Sequence, residues 1–385
     1  MKHYLPVVAL SSVFTLGLFG CGGSDNAPGT NIPQPLPTPL DYQSLLNETV
    51  GEVIPGVVLH IASPQKHILL SAGVSDTETH TPMQVDAQMP VGSAGKKATA
   101  LLTLMLYEDG MLNIDDTIDT WLPADLVSRI EYGSDITLRQ LLMHTSGVHD
   151  YLAPDTADAW FDAIMDDPTS LKTDSYALAF SLDKPADFVP GTQFNYSNSG
   201  YLLVGLILDS VLGEHHSSAL RQRVLIPLGM NNSYYNGVEK ELGTIISGYF
   251  NLNGEILNTK LAYENIGVAD APLISTAEDL TRLIRAVASD NSPISASIRD
   301  LMIGDSNLTA LGDDAFYGMG MMKDASFEKP IYHHGGDEPG YSSTNIYIPY
   351  KDTSITIFIN CGVAADCIQK QDALIQTVLS NELQP

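Results

Sequence analysis

The sequence predicts an α/β fold in which both ends of the chain share one sheet and a mostly helical segment is inserted between them. Strand-like runs rich in β-branched and aromatic residues occupy 56–73 near the start and 341–360 near the end. Between them, from Ser93 to about Gly237, the pattern is helix and loop, with helical runs stopped by Gly110 and Gly213. A final amphipathic helix is expected from Asp366.

Taken in order, residues 1–20 read as a lipoprotein signal peptide and 21–40 as a Pro-rich linker. Lys2 supplies the positive start, 6–20 are apolar, and Leu18-Phe19-Gly20-Cys21 forms a lipobox with Cys21 as the lipid attachment. Gly22 after the cysteine carries no Asp-type retention signal. The expected address is therefore the periplasm, lipid-anchored to the outer membrane. Pro28, Pro33, Pro35, Pro37 and Pro39 make the linker an extended spacer. One domain, 41–385, follows, with its helical lobe at about 94–240. A helix is expected over 41–53, a strand pair over 56–73, and strands from about Gly243 onward. The formal net charge of −27 excludes nucleic acid and anionic lipid as partners, leaving the N-terminal lipid as the only membrane contact.

Three short motifs carry the chemistry. Ser-x-x-Lys occurs four times, beginning at Ser63, Ser93, Ser181 and Ser326. Pro64, Pro185 and Pro330 stand inside or beside the other three, and proline disfavours helix there. Only Ser93 opens a long helical run, which sets Lys96 on the face of the Ser93 hydroxyl. A serine needs a base to become nucleophilic, and a lysine is a base only when burial or a neighbouring cation lowers its pKa. Lys97 points elsewhere. Tyr-x-Asn also occurs four times, at Tyr196, Tyr234, Tyr249 and Tyr263. Tyr196-Ser197-Asn198 alone sits on a Pro/Gly/Asn loop that runs into an apolar helix over 201–212. The third motif is His334-Gly335-Gly336, at the edge of a strand where glycines admit another backbone. His333 offers an overlapping match, but the double glycine favours His334. No cysteine or histidine completes a metal set around the pair, so no metal or other cofactor is expected.

In order and spacing, these motifs resemble the serine β-lactamase and penicillin-binding-protein superfamily, in its class C-like branch of DD-peptidases, esterases and D-aminopeptidases. Residues 136–148 (ITLRQLLMHTSGV), Pro190-Gly191 and 273–280 (LISTAEDL) match as well, and the last reads as a capping box opening a helix. The resemblance covers the chain from about Leu45 to its end. It implies an antiparallel sheet flanked by helices, with the active site between sheet and lobe. Catalytic roles would fall to Ser93 as acylated nucleophile, Lys96 as proton acceptor and Tyr196 as proton shuttle, with the choice of base between Lys96 and Tyr196 left open. Asn198 would hold the substrate amide. His334, Gly335 and Gly336 would line the substrate, and the backbone N–H groups of Ser93 and Asp337 would form the oxyanion hole.

The expected substrate is a small peptide, amide or ester. D-Alanyl-D-alanine carboxypeptidase is the foremost label by similarity. Carboxylic esterase, D-aminopeptidase, class C-like β-lactamase and a non-catalytic peptide binder are the alternatives. In the DD-peptidases of the branch this chain resembles, hydroxyl residues around the His-x-Gly strand help bind a terminal carboxylate; here those places are Gly335 and Asp337, followed by Glu338, which leans the residues toward an amine-bearing or neutral substrate. With Cys21 taken by lipid, Cys361 and Cys367 are expected to form a disulfide across a turn permitted by Gly362.

Overall fold

The structure is a computed structural model and describes residues 40–384. The predicted signal peptide, the Cys21 lipid site and the Pro-rich segment through residue 39 lie outside the described residues. One ten-stranded sheet organises the rest. Its strands are β1 (Gly56–Ala62), β2 (His67–Asp76), β3 (Thr81–Pro82), β4 (Thr309–Ala310), β5 (Ala315–Tyr317), β6 (Met322–Asp324), β7 (Ile331–His333), β8 (Gly336–Glu338), β9 (Tyr341–Ile348) and β10 (Thr353–Ile359). The spatial order is β4-β5-β6-β7-β9-β10-β1-β2-β3, with β8 paired to β9 beyond β7. Every pairing in this sheet is antiparallel. The two ends of the chain do meet in one sheet, because β1 pairs with β10 from Val57–Ile359 to Ala62–Ser354.

The central strands β9 and β10 are buried at every position, as strands covered on both faces must be. Helix α4 (Ala277–Ala288) lies across one face, over β1, β9 and β10. Thr276 caps it by accepting the Asp279 N–H, as the serine-threonine pair in the sequence predicts. Helix α6 (Ala365–Leu383) covers the other face and begins one residue before the expected Asp366. Helix α1 (Tyr42–Thr49) is shorter than the expected 41–53. Val50 turns extended, and Pro55 then packs against Gly73 of β2, where a side chain would meet the Pro55 carbonyl at 2.1 Å. Helix α5 (Ala296–Ile303) was not anticipated. It is short and held by the Ser295 side chain accepting the Ile298 N–H.

The inserted segment carries α2 (Lys96–Glu108) and α3 (Asn198–Leu212), stopped as expected by Gly110 and Gly213, both at positive φ. It is not purely helical. Lys172–Thr173 pairs with Ile266–Gly267, and Tyr234–Tyr235 joins a three-stranded sheet with Leu273–Ser275 and Met89–Pro90. These short ladders fasten residues 266–275 between lobe and sheet. Cys361 and Cys367 are disulfide-bonded with Cα atoms 6.2 Å apart, within the range a disulfide spans.

Candidate active site

Ser93 lies in a single 3-10 turn (Gly92–Gly95) that runs into α2, rather than in the first turn of the α-helix itself. The turn is tight because Gly95 has no side chain. A Cβ there would meet Pro272 at 2.7 Å. Lys96 still returns to the serine, and its Nζ donates to Ser93 Oγ at 3.0 Å.

Lys96 is fully buried. Its other two donations go to Asn198 Oδ1 at 2.7 Å and the Asp270 carbonyl at 2.9 Å, so three acceptors take the three protons of the ammonium. Loss of one proton leaves two of these bonds and frees a lone pair to accept from the Ser93 hydroxyl. Burial lowers the lysine pKa, while the carboxyls of Asp270 (3.7 Å away), Asp150 and Glu338 oppose the shift. Asn198 donates its Nδ2 to Asp150 Oδ2 at 3.0 Å, so its amide is engaged at both ends and holds Lys96 in place. Burial in turn pushes the Asp150 carboxyl up to about 6. Tyr151 donates to Asp270 Oδ2 at 3.2 Å and closes the network.

Tyr196 stands over this cluster, its ring 5.2 Å from Lys96 Nζ. Its buried hydroxyl makes no hydrogen bond among the described residues. Burial holds the phenol well above its ordinary pKa, and the neighbouring Ser93 hydroxyl offsets only part of that. The ring rests on His144, with centroids 4.0 Å apart. His144 takes a left-handed φ of 56°, and its Nδ1 accepts the Ser197 N–H at 3.1 Å. A histidine in the ITLRQLLMHTSGV segment thus supports both the ring of Tyr196 and the backbone beside it.

The opposite wall is the β7–β8 edge. Both strands pair with β9 in one register, from Tyr332–Tyr347 through Gly336–Ser343 to Glu338–Tyr341. The free side of β8 abuts the Ser93 turn. A Cβ on Gly336 would lie 2.6 Å from the Ser93 nitrogen, and one on Gly92 would lie 3.2 Å from the Asp337 nitrogen. Two backbone amides are therefore brought together by glycines, at positions where a side chain would crowd the facing backbone or, at Gly92, strain a φ of +52°. His334 is buried, its Nδ1 bonded to the Gly335 carbonyl at 2.7 Å and its Nε2 to the Tyr317 hydroxyl at 3.2 Å. Burial and the nearby Lys97 hold it neutral.

The cleft between these walls is lined by Ser93, Tyr196, His334, Asp337, Thr344 and Gln371 among others, and no Lys or Arg is in that lining. Asp337 turns toward α6, bonded to Ser342, and burial pushes its carboxyl up to about 6. Glu338 turns the other way, toward Lys96 and Asp270. Burial raises its carboxyl to about 8, with Asp270 adding repulsion and Lys96 opposing it.

Comparison with known proteins agrees with this geometry. The beta-lactamase family profile matches residues 43–378. The chain belongs to the beta-lactamase family. It is 28% identical to penicillin-binding protein 4* of Bacillus subtilis over 327 residues, covering 80% of this chain and 69% of that protein. A D-stereospecific amidohydrolase from Streptomyces sp. superposes with a TM-score of 0.72 at 26% identity, over 87% of this chain and 96% of that one. A penicillin-binding protein from Bacillus halodurans shares the fold, with a TM-score of 0.74 at 22% identity, over 89% of this chain and 99% of that one. The protein is a serine hydrolase of the beta-lactamase and penicillin-binding-protein superfamily.

Within this family frame the competing motifs fall away. Lys66 pairs with Glu382 and Lys184 with Asp155, while Lys329 lies over the Tyr350 ring. Each of the other three Ser-x-x-Lys lysines is thus engaged away from a serine. The structure brings together Ser93, Lys96, Tyr196, Asn198, His334, Gly335, Gly336 and Asp337. Sequence reasoning gave no role to Asp150, Tyr151 and Asp270, which no short motif marks, nor to His144, although it stands inside the matching segment 136–148. It placed Lys97 away from the serine, which is correct, but gave no sign that this lysine is fully buried.

Proposed function

We propose that the protein hydrolyses amides and esters of D-amino acids through a Ser93 acyl-enzyme and favours substrates with a free amine over those ending in a free carboxylate. Lys96 accepts the Ser93 proton as Oγ attacks the carbonyl carbon, and the oxyanion forms between the amides of Ser93 and Asp337. The proton then passes from Lys96 through the Tyr196 hydroxyl to the leaving nitrogen or oxygen. Water reverses these steps on the acyl-enzyme. The opposite pKa directions favour Lys96 over Tyr196 as the base, since the lysine is lowered and the phenol raised.

The observation that carries the substrate reading is the charge of the cleft. Its lining holds Asp337 and no Lys or Arg, Glu338 follows on the same strand facing Lys96, and burial raises both carboxyls. A substrate carboxylate would find no cation there. An ammonium would let either acid ionise. Likeness to a D-stereospecific amidohydrolase supports amides of D-amino acids as the substrate class. The test compares D-Ala-p-nitroanilide and its N-acetyl form with diacetyl-Lys-D-Ala-D-Ala, using Ser93→Ala as the blank. The free amine substrate is expected to give the highest kcat/KM. A strong preference for the tripeptide overturns the reading.

A further inference from the structure

The groups around Lys96 are carried by two loops of the inserted lobe, 143–156 and 183–197. The first bears Asp150 and Tyr151, which bond Asn198 and Asp270. The second bears Tyr196. Backbone bonds join the loops at His144–Asn195, Thr145–Gly191 and Gly147–Asp187. Beyond Gly147 no backbone bond crosses between them among the described residues, and the side chain of His149 takes over.

His149 Nδ1 meets Asp187 Oδ1 at 3.0 Å, and its Nε2 meets Asp155 Oδ1 at 2.9 Å. The second oxygen of each carboxyl is also engaged. Asp187 Oδ2 accepts from Asn195, the residue before Tyr196, and Asp155 Oδ2 accepts from Lys184, both at 2.7 Å. A hydrogen bond between an imidazole nitrogen and a carboxylate oxygen needs one proton, so two such bonds need two. A neutral imidazole between two carboxylates brings only one, and its bare nitrogen would then face a carboxylate. Burial lowers the pKa of this ring, but the hydrogen bonds and charges of Asp187 and Asp155 outweigh it, and the net shift is upward. The double contact is therefore complete below the ordinary histidine range and is lost as the pH rises through the raised value. Asp155 is half exposed and Asp187 more sheltered, so the inner contact is the less screened of the two. The other charged groups of the adjoining chain are turned away from the ring: Arg129 pairs with Asp183, and Glu131 accepts the Ala186 N–H.

We propose that protonated His149 is a positioning residue: it clamps loop 143–156 onto loop 183–197, holds Asp150 and Tyr196 in place around Lys96, and gives up one of its two contacts in alkaline solution. The clamp acts on the Ser93–Lys96 mechanism proposed above, and substrate preference plays no part in it.

Two variants separate a proton-dependent clamp from a fixed structural contact. His149→Gln offers one donor end and one acceptor end, so it mimics the neutral ring at every pH. Asp187→Asn can donate its Nδ2 to a neutral His149 while its Oδ1 accepts from Asn195, so it needs no second proton. The measurement is kcat/KM on a neutral p-nitrophenyl ester from about pH 6.5 to 9.5, with Ser93→Ala as the blank. Wild type is expected to exceed His149→Gln about five- to tenfold at the acidic end and to fall within about twofold of it at the alkaline end. Asp187→Asn is expected to keep its advantage over His149→Gln across the whole range. A constant ratio of wild type to His149→Gln overturns the proposal. If His149→Gln fails to fold, the ratio of wild type to Asp187→Asn decides: it falls on the alkaline side if the clamp titrates, and a constant ratio overturns it. NMR supplies a readout apart from catalysis. The His149 ring is expected to titrate above the ordinary value of about 6.5, and the Asp150 and Asn195 amide signals to shift with the same midpoint. A ring that titrates at or below that value, or amide signals that ignore its titration, overturns the clamp. An ester that the wild type leaves intact would refute the Ser93 mechanism, and the NMR midpoints would still decide the clamp.

Discussion

At the scale of single residues, the site is a problem of keeping one lysine neutral in acidic company. Lys96 is lowered by burial and raised by Asp270, Asp150 and Glu338. Its neutral form is the base, so activity falls on the acidic side as Lys96 takes a proton. Asp270→Asn removes a charge that stabilises the ammonium, which lowers the lysine pKa further. The acidic limb of the kcat/KM profile is therefore expected to move to lower pH in Asp270→Asn, as a pH series on a neutral ester will show. A limb that moves upward refutes this account of the network. Lys96→Ala and Tyr196→Phe should each cost about 100-fold or more in kcat, with Ser93 still in place. Ser93 and Lys96 were legible because they stand three positions apart on a helical path. Asp270 was not, because it stands 174 positions along the chain from Lys96 and only the fold makes them neighbours.

At the scale of elements, catalysis depends on how closely β8 approaches the Ser93 turn. Gly336 is the pivot, since its missing side chain would overlap the Val91 carbonyl at 2.1 Å. Gly336→Ala is expected to push strand and turn apart, cutting kcat at least about 100-fold and destabilising the fold by about 1–3 kcal/mol. Chemical denaturation paired with steady-state rates will separate the two effects. The glycine pair was readable as a site of close approach, and the family resemblance supplied the Ser93 amide as its partner, which no local pattern marks because the Ser93 turn arrives from the other end of the chain. The loop after β10 supports the same strand. A Cβ on Gly362 would lie 2.4 Å from the Glu338 carbonyl, and the Cys361–Cys367 disulfide closes that loop. Replacing both cysteines with serine should cost about 2 kcal/mol of stability. It should also lower kcat/KM, because β8 loses part of its backing. A variant with wild-type rates would show that the disulfide serves stability alone.

At the scale of the whole molecule, the sheet joins β1 to β10 and so sets the two chain ends on one body, with the inserted lobe closing over its edge. Strand-like runs rich in β-branched and aromatic residues near each end made that much legible. The short ladders that tie residues 266–275 to the lobe were not, because two- and three-residue strands leave no periodicity to read. The described chain starts beside the far end of α6, where Tyr42 bonds Glu382, whereas the cleft lies near Gln371 on the same helix. Those two points are about 16 Å apart along the helix axis. An extended linker of the length predicted for 21–40 could add about 60 Å of reach. A lipid on Cys21 would then hold the molecule by the end away from its cleft, and the surface, with its formal charge of −27, would not adhere to anionic headgroups. Cys21→Ser is expected to abolish labelling by radioactive palmitate and release the protein into the soluble fraction, with kcat/KM on a small ester unchanged. Continued membrane association of Cys21→Ser would place the attachment elsewhere on the molecule. A changed rate would mean that the linker reaches back to the cleft.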